Sequence, residues 1–237
     1  MKIFVTFKLI PDFDMFSESD WIISSHFQVD TSYIKKILNP YDESSLEIAL
    51  RLKEKMKESF LTALTIENTK NDLFLKSLVA LKYDRVTKLE TQKDFRFSSN
   101  FIAESIAEYV KNNPQDIYIM GSQSPEGDNG ITPYLLSEIL KIPCISNVSD
   151  IDYKNDGLEI TSSLYNTEIR LKVKPPVILV IGNSKISHLR IPTLKDRITI
   201  NKEKIEIKKL ENCDLYSEEK KITLEKIFES NFKELLK

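Results

Sequence analysis

Apolar residues fall into short compact runs separated by stretches of helical period. Ile3 to Phe7 is the first run, closed by Lys8 and stopped by Pro11-Asp12, and it predicts a strand. Residues 9–38 hold no sustained period, apart from a short hairpin expected around Trp21-Ile22-Ile23 and Gln28-Val29-Asp30. Asn39-Pro40-Tyr41-Asp42-Glu43 reads as a helix start: Asn39 can cap, Pro40 suits the first turn, and acids there oppose the helix dipole. Leu46, Ala49, Leu50 and Lys53 carry that helix to about Lys57. Further strands are expected at Phe60–Ile66, Arg85–Leu89 and Asp116–Met120. Helices are expected near Asp72–Lys82, from Phe101 to a stop at Pro114, and over Pro133–Leu140.

After Pro143 the period shortens to two. Residues 144–153, 158–164 and 167–174 predict antiparallel strands, with turns at Asn155-Asp156-Gly157 and Asn166-Thr167. Pro175-Pro176 precedes a buried run, Val177–Ile181. The tail holds a mixed-charge stretch, Lys202–Lys209, and an amphipathic helix at about Glu218–Leu236. Strands alternating with helices predict an α/β fold with a doubly wound, mostly parallel sheet, a small antiparallel excursion and a C-terminal arm and helix. The expected division is a domain over 1–182 and an arm over 183–237. Ligands of such sheets bind beyond the carboxyl ends of the strands, which here means loops Phe7–Asp14, Ile66–Asn71 and Gly121–Gly130.

Composition adds mostly exclusions. The 237 residues are 41% hydrophobic and 30% charged, with a formal net charge of −2, so nothing invites nucleic acid or an anionic membrane. Cys144 and Cys213 are far apart, without C-x-x-C spacing, and suit reduced thiols in a cytoplasmic, soluble protein. No apolar run approaches the length of a membrane span, and no secretory leader is expected.

Candidate chemistry concentrates in Met120-Gly121-Ser122-Gln123-Ser124-Pro125-Glu126-Gly127-Asp128-Asn129-Gly130-Ile131-Thr132, which contains three of the five glycines. A polar, glycine-bearing loop between strand and helix can aim backbone N–H groups at a phosphate; it can equally be an ordinary turn. It is neither a G-x-G-x-x-G fingerprint nor a Walker A loop. His26 and His188 are isolated, and no nucleophile elbow or H-E-x-x-H pair occurs, so hydrolase machinery is absent from the pattern.

The order of several segments resembles the beta subunit of electron transfer flavoproteins. Lys8-Leu9-Ile10-Pro11-Asp12 is similar to the family's opening K-x-V-P-D loop. Asn39-Pro40-Tyr41-Asp42-Glu43 followed by Ala49-Leu50-Arg51-Leu52-Lys53-Glu54-Lys55 matches its N-P-[YF]-D-E helix start and body. Leu78 to Arg85, the Gly121–Asn129 loop, Leu140-Lys141-Ile142-Pro143 and Arg190-Ile191-Pro192-Thr193-Leu194-Lys195 follow in the family's sequence. Their shared order from residue 1 to about 200 carries the resemblance.

The resemblance implies an adenine nucleotide alpha hydrolase-like fold and a heterodimer with a larger alpha subunit that holds most of the FAD. It implies AMP in this chain, bound by Thr6, Asn39, Pro40, Tyr41, Asp42, Ile66, Gly121, Ser122, Gln123, Ser124, Gly127, Asp128, Asn129, Gly130, Ile131 and Thr132. Phe13 falls where the family touches the alpha-bound flavin. Arg190, Thr193, Leu194 and Lys195 correspond to the loop that docks a dehydrogenase such as acyl-CoA dehydrogenase, with Leu194 as apolar anchor. The flavin does the redox work, so no catalytic acid or base is expected of this chain. Two alternatives stand beside this one: a bifurcating, NADH-oxidising subunit with FAD in this chain, or a nucleotide-binding module without electron transfer. The chain departs from the pattern at Ile66-Glu67-Asn68, where a glycine-proline turn is replaced and an acid added, at Gly130-Ile131, and at Phe13, which has no hydroxyl.

Overall fold

The computed structural model describes residues 1–23, 29–56, 58–68, 72–91, 95, 98–154 and 157–210. The expected helix at Glu218–Leu236, His26, Cys213 and the turn residues Asn155-Asp156 lie outside the described residues.

A nine-stranded sheet organises the molecule. Its centre is parallel: β1 (Lys2–Thr6) lies between β4 (Phe60–Glu67) and β6 (Ile117–Gly121), with β5 (Arg85–Glu90) beyond β4 and β10 (Val177–Ile181) beyond β6. β1, β6 and β10 read as nearly continuous apolar runs because helices cover both faces. Ile3, Phe4 and Val5 are fully buried, odd residues facing one layer and Phe4 the other.

Helices α1 (Pro40–Lys55) and α2 (Leu73–Ala80) cover one face, where Leu46, Leu50, Leu75 and Leu78 meet Ile3, Val5, Leu61 and Ile119. Helices α3 (Ser99–Lys111) and α4 (Thr132–Leu140) cover the other, where Ile106, Val110 and Leu136 meet Phe4, Leu64, Tyr118 and Ile178. The antiparallel excursion is a meander of β7 (Cys144–Lys154), β8 (Gly157–Leu164) and β9 (Thr167–Val173), attached through β7 running parallel to β10.

Two details depart from the expectation. Residues 9–38, expected to be irregular apart from one hairpin, contain a two-stranded ribbon of β2 (Leu9–Pro11) and β3 (Lys36–Leu38). Three-residue strands are too short to display a period of two. The hairpin expected around 21–23 and 28–30 is represented by an antiparallel bridge from Ile23 to Val29, with residues 24–28 outside the described residues. Within 183–237, the expected arm, a short helix α5 (Leu194–Ile198) is followed by β11 (Ile205–Lys209), which returns to the sheet parallel to β5. Among the described residues no helix is long and apolar enough to cross a membrane.

Candidate nucleotide site

β1 and β6 are neighbours, but the chain leaves them in opposite directions, toward β4 on one side and toward β7 and β10 on the other. Their carboxyl ends therefore diverge, and a pocket of about 140 Å³ opens there, at the topological switch point.

The first turn of α1 builds its polar wall. Asp42 is buried, and its Oδ2 accepts the Lys8 backbone N–H at 2.9 Å and the Asn39 Nδ2–H at 3.0 Å. Asn39 Nδ2 also donates to the Gln123 carbonyl at 2.8 Å, joining α1 to the loop after β6. Both acceptors fix the amide's orientation, since only the nitrogen can donate to them. Asn39 Oδ1 is thereby left buried and without a hydrogen-bond partner in the pocket wall. A buried acceptor in this state costs roughly 1–3 kcal/mol, which a ligand amine or hydroxyl would relieve.

Burial pushes the Asp42 carboxyl up to about 7; hydrogen bonds from Asn39 and the Lys8 and Gly121 backbone, with the Lys8 charge, only partly oppose that rise. Gly121 is required here: a Cβ would stand 2.3 Å from Asp42 Oδ1 and 3.1 Å from Tyr41 Cβ. Gly130 has φ +60°, a left-handed backbone, and a Cβ there would press on the Ser122 carbonyl at 3.0 Å. Across the mouth, Lys8 Nζ pairs with Glu126 at 2.8 Å and bonds its carbonyl at 3.2 Å. Asn129 donates to Ser99 Oγ at 2.7 Å, tying the loop to α3.

The opposite wall is apolar: Leu64, Ile66, Phe95, Ile102, Ile106 and Met120. The N-terminal turn of α4, with Thr132 and Pro133, closes the remaining side. An apolar slot suits a planar ring, the Asn39 oxygen suits an amine or sugar hydroxyl, and the helix N-terminus suits a phosphate. Side-chain charge does little for the phosphate, because Lys8 is already matched by Glu126 and Asp128 also lines the pocket.

Of the expected nucleotide contacts, Thr6, Asn39, Asp42, Ile66, Gly121, Ser122, Gln123, Ser124, Asp128, Asn129, Gly130 and Thr132 line the pocket. Pro40, Tyr41, Gly127 and Ile131 do not; Tyr41 supports the loop by packing against Gly121. The expectation omits Lys8, Glu126, Phe95 and the α3 face of Ser99, Ile102 and Ile106. That face was legible in the helical spacing of 99, 102 and 106. The acid added at Glu67 is buried, pairs with Lys36 Nζ at 3.4 Å, and does not line the pocket.

The expected docking residues stand apart from the pocket. Arg190 is turned onto α1, where its guanidinium bonds Glu47 at 2.8–3.1 Å and also reaches Glu54. Its backbone N–H donates to Glu47, and that of Leu189 to Glu43. Beyond this fastening Thr193 caps α5, accepting from the Asp196 N–H at 3.2 Å, and Lys195 is exposed. Ile191, Leu194 and Ile198 are 80%, 75% and 76% exposed, an apolar stripe in which the expectation marked only the middle residue.

Fold and pocket together define a doubly wound α/β protein with a ligand crevice at its switch point. Comparison with known proteins carries this further. Residues 26–210 match the model of the electron transfer flavoprotein domain. YgcR of Escherichia coli, named as a candidate electron transfer flavoprotein subunit, is 31% identical over 86% of this chain and 80% of its own length. The electron transfer flavoprotein beta subunits of Bacillus subtilis and Homo sapiens are 26% and 24% identical, covering 77% and 76% of this chain and 71% of theirs. The chain belongs to the electron transfer flavoprotein family.

Proposed function

We propose that the chain is the smaller, beta-type subunit of a heterodimeric electron transfer flavoprotein, working in the cytoplasm with a larger alpha-type subunit that holds FAD. The flavin, when bound, supplies the redox chemistry. This chain's residues bind a structural AMP in the crevice, hold the crevice loops in register and present a docking surface to a dehydrogenase. The observation that carries the reading is the buried, unpartnered Asn39 oxygen in the switch-point crevice of a family member. Residues 183–237 act as the partner-recognising arm, with Leu194 as the knob. Ile191 and Ile198 flank it, and Arg190 serves to fasten the loop to α1.

The test is reconstitution with an alpha-type subunit from the same genome, followed by reduction of the flavin with a panel of dehydrogenases, acyl-CoA dehydrogenase among them. Leu194→Ala is expected to slow that reduction about tenfold or more with heterodimer yield unchanged. Unchanged reduction by every dehydrogenase that works with the wild type would refute the docking role.

A further inference from the structure

Glu43 is attached at both ends of one short span of α1. Its backbone N–H donates to the Asn39 carbonyl at 3.0 Å, beside that of Asp42 at 2.9 Å, and so closes the first turn of the helix. Its side chain does not line the crevice. Glu43 Oε2 instead accepts the Leu189 backbone N–H at 3.3 Å and lies 3.7 Å from His188 Nδ1. Leu189 packs against the core, and Ile191, the first residue of the exposed apolar stripe, stands two positions further on. The far end of that stripe is held separately, by Lys82 to Asp196 at 3.2 Å.

The first turn of α1 lacks the support of an ordinary helix start. Asn39 stands at the cap position, yet its side chain makes no capping bond, because its amide is directed to Asp42 and Gln123. The order of the turn depends on the crevice contacts, and these are incomplete while Asn39 Oδ1 is buried without a donor. A ligand donor on that oxygen completes them and disfavours fraying of the turn. Fraying displaces Glu43, whose backbone belongs to the turn, and with it the root of the docking loop at Leu189. Arg190 is held by Glu47 and Glu54, which lie beyond the first turn, so its fastening follows less closely.

We infer that Glu43 is the positioning residue that joins nucleotide occupancy of the crevice to the order of the docking loop. This inference rests on the reading of the crevice as a nucleotide site and of the stripe from Ile191 to Ile198 as a docking surface. By linkage the effect is reciprocal: loosening the loop at Glu43 weakens the nucleotide by the same factor.

Hydrogen exchange of the full-length chain, without AMP and with saturating AMP, tests the connection. The Leu189 amide is expected to exchange about fivefold or more slowly with AMP. Arg190 should slow by a smaller factor, and Asp196, fastened through Lys82, should keep its rate. Glu43→Ala should abolish the slowing at Leu189 and weaken AMP about fivefold. Glu43→Gln, which keeps an acceptor oxygen without the charge, should restore both. AMP that binds without slowing Leu189, or Glu43→Ala with wild-type affinity, would overturn the inference and leave the crevice reading standing. Loss of both effects in Glu43→Gln would overturn it as well, since only a charge on the helix dipole would then matter. No binding of AMP by the wild type would defeat the crevice reading and the inference with it. If Glu43→Ala fails to fold, the wild-type rates and Glu43→Gln still decide the matter.

Discussion

Asp42 shows how a single side chain both assembles the crevice and loads it with a cost. Its carboxyl collects N–H groups from the loop after β1 and from Asn39, yet burial raises it from an ordinary 3.8 to about 7 against those bonds. Between these pH values the folded chain keeps a proton that the unfolded chain releases. Asp42's contribution is therefore fully present below about pH 4 and lost as pH rises to about 7, by roughly 4 kcal/mol in total at 1.36 kcal/mol per unit. Asp42→Asn removes this titration while weakening the clamp. Its stability deficit in urea unfolding should be largest near pH 4 and shrink toward pH 7; a deficit independent of pH would show that Asp42 does not titrate in that window. Gly121→Ala should cost about 1–3 kcal/mol, since the new methyl collides with a buried carboxylate. A midpoint unchanged in denaturant would contradict that packing. At this scale the sequence was informative about Asn39, Asp42 and the Gly121 loop, because a short motif names them. It was silent on the ion pair of Lys8 with Glu126, which joins residues 118 positions apart.

Among the elements, α1 does the most. One face packs on the sheet, its first turn shapes the crevice, and Glu43, Glu47 and Glu54 fasten the segment at 188–190. Burial alone would raise the Glu47 carboxyl, but hydrogen bonds from Arg190 and Arg51 outweigh it and hold it below the usual range. This stabilisation is present above the unfolded value of 4.5 and fades as pH falls, the opposite sense to Asp42. Glu47→Gln should cost about 1–3 kcal/mol and accelerate amide exchange at Leu189 and Arg190, with exchange in β1 unaffected. Equal acceleration throughout would mean general destabilisation rather than a released loop. The long elements were legible because each repeats its period several times: Val177–Ile181 matches in full, and α1 ends two residues early. The ribbon of β2 and β3 and the edge strand β11 were not, since short or mixed-charge strands are specified by the neighbour they pair with. β11 also sets where the tail can be cut. Truncation after residue 204 removes a sheet strand, whereas truncation after 210 leaves the described fold whole and tests the remainder of the tail alone.

On the scale of the whole molecule, the crevice at the switch point of the large sheet and the apolar stripe beyond α1 are separate surfaces. The near-neutral charge of −2 leaves recognition to these local surfaces rather than to long-range attraction. The most direct measurement is release and quantitation of the nucleotides bound to the heterodimer purified with its alpha-type subunit, for the wild type and for Asn39→Leu. One FAD and one AMP per heterodimer, with AMP lost and FAD kept in the variant, is the predicted result. Two FAD would place a redox flavin in this chain, and FAD alone in the wild type, or no complex at all, would contradict the crevice as a nucleotide site within a two-subunit carrier.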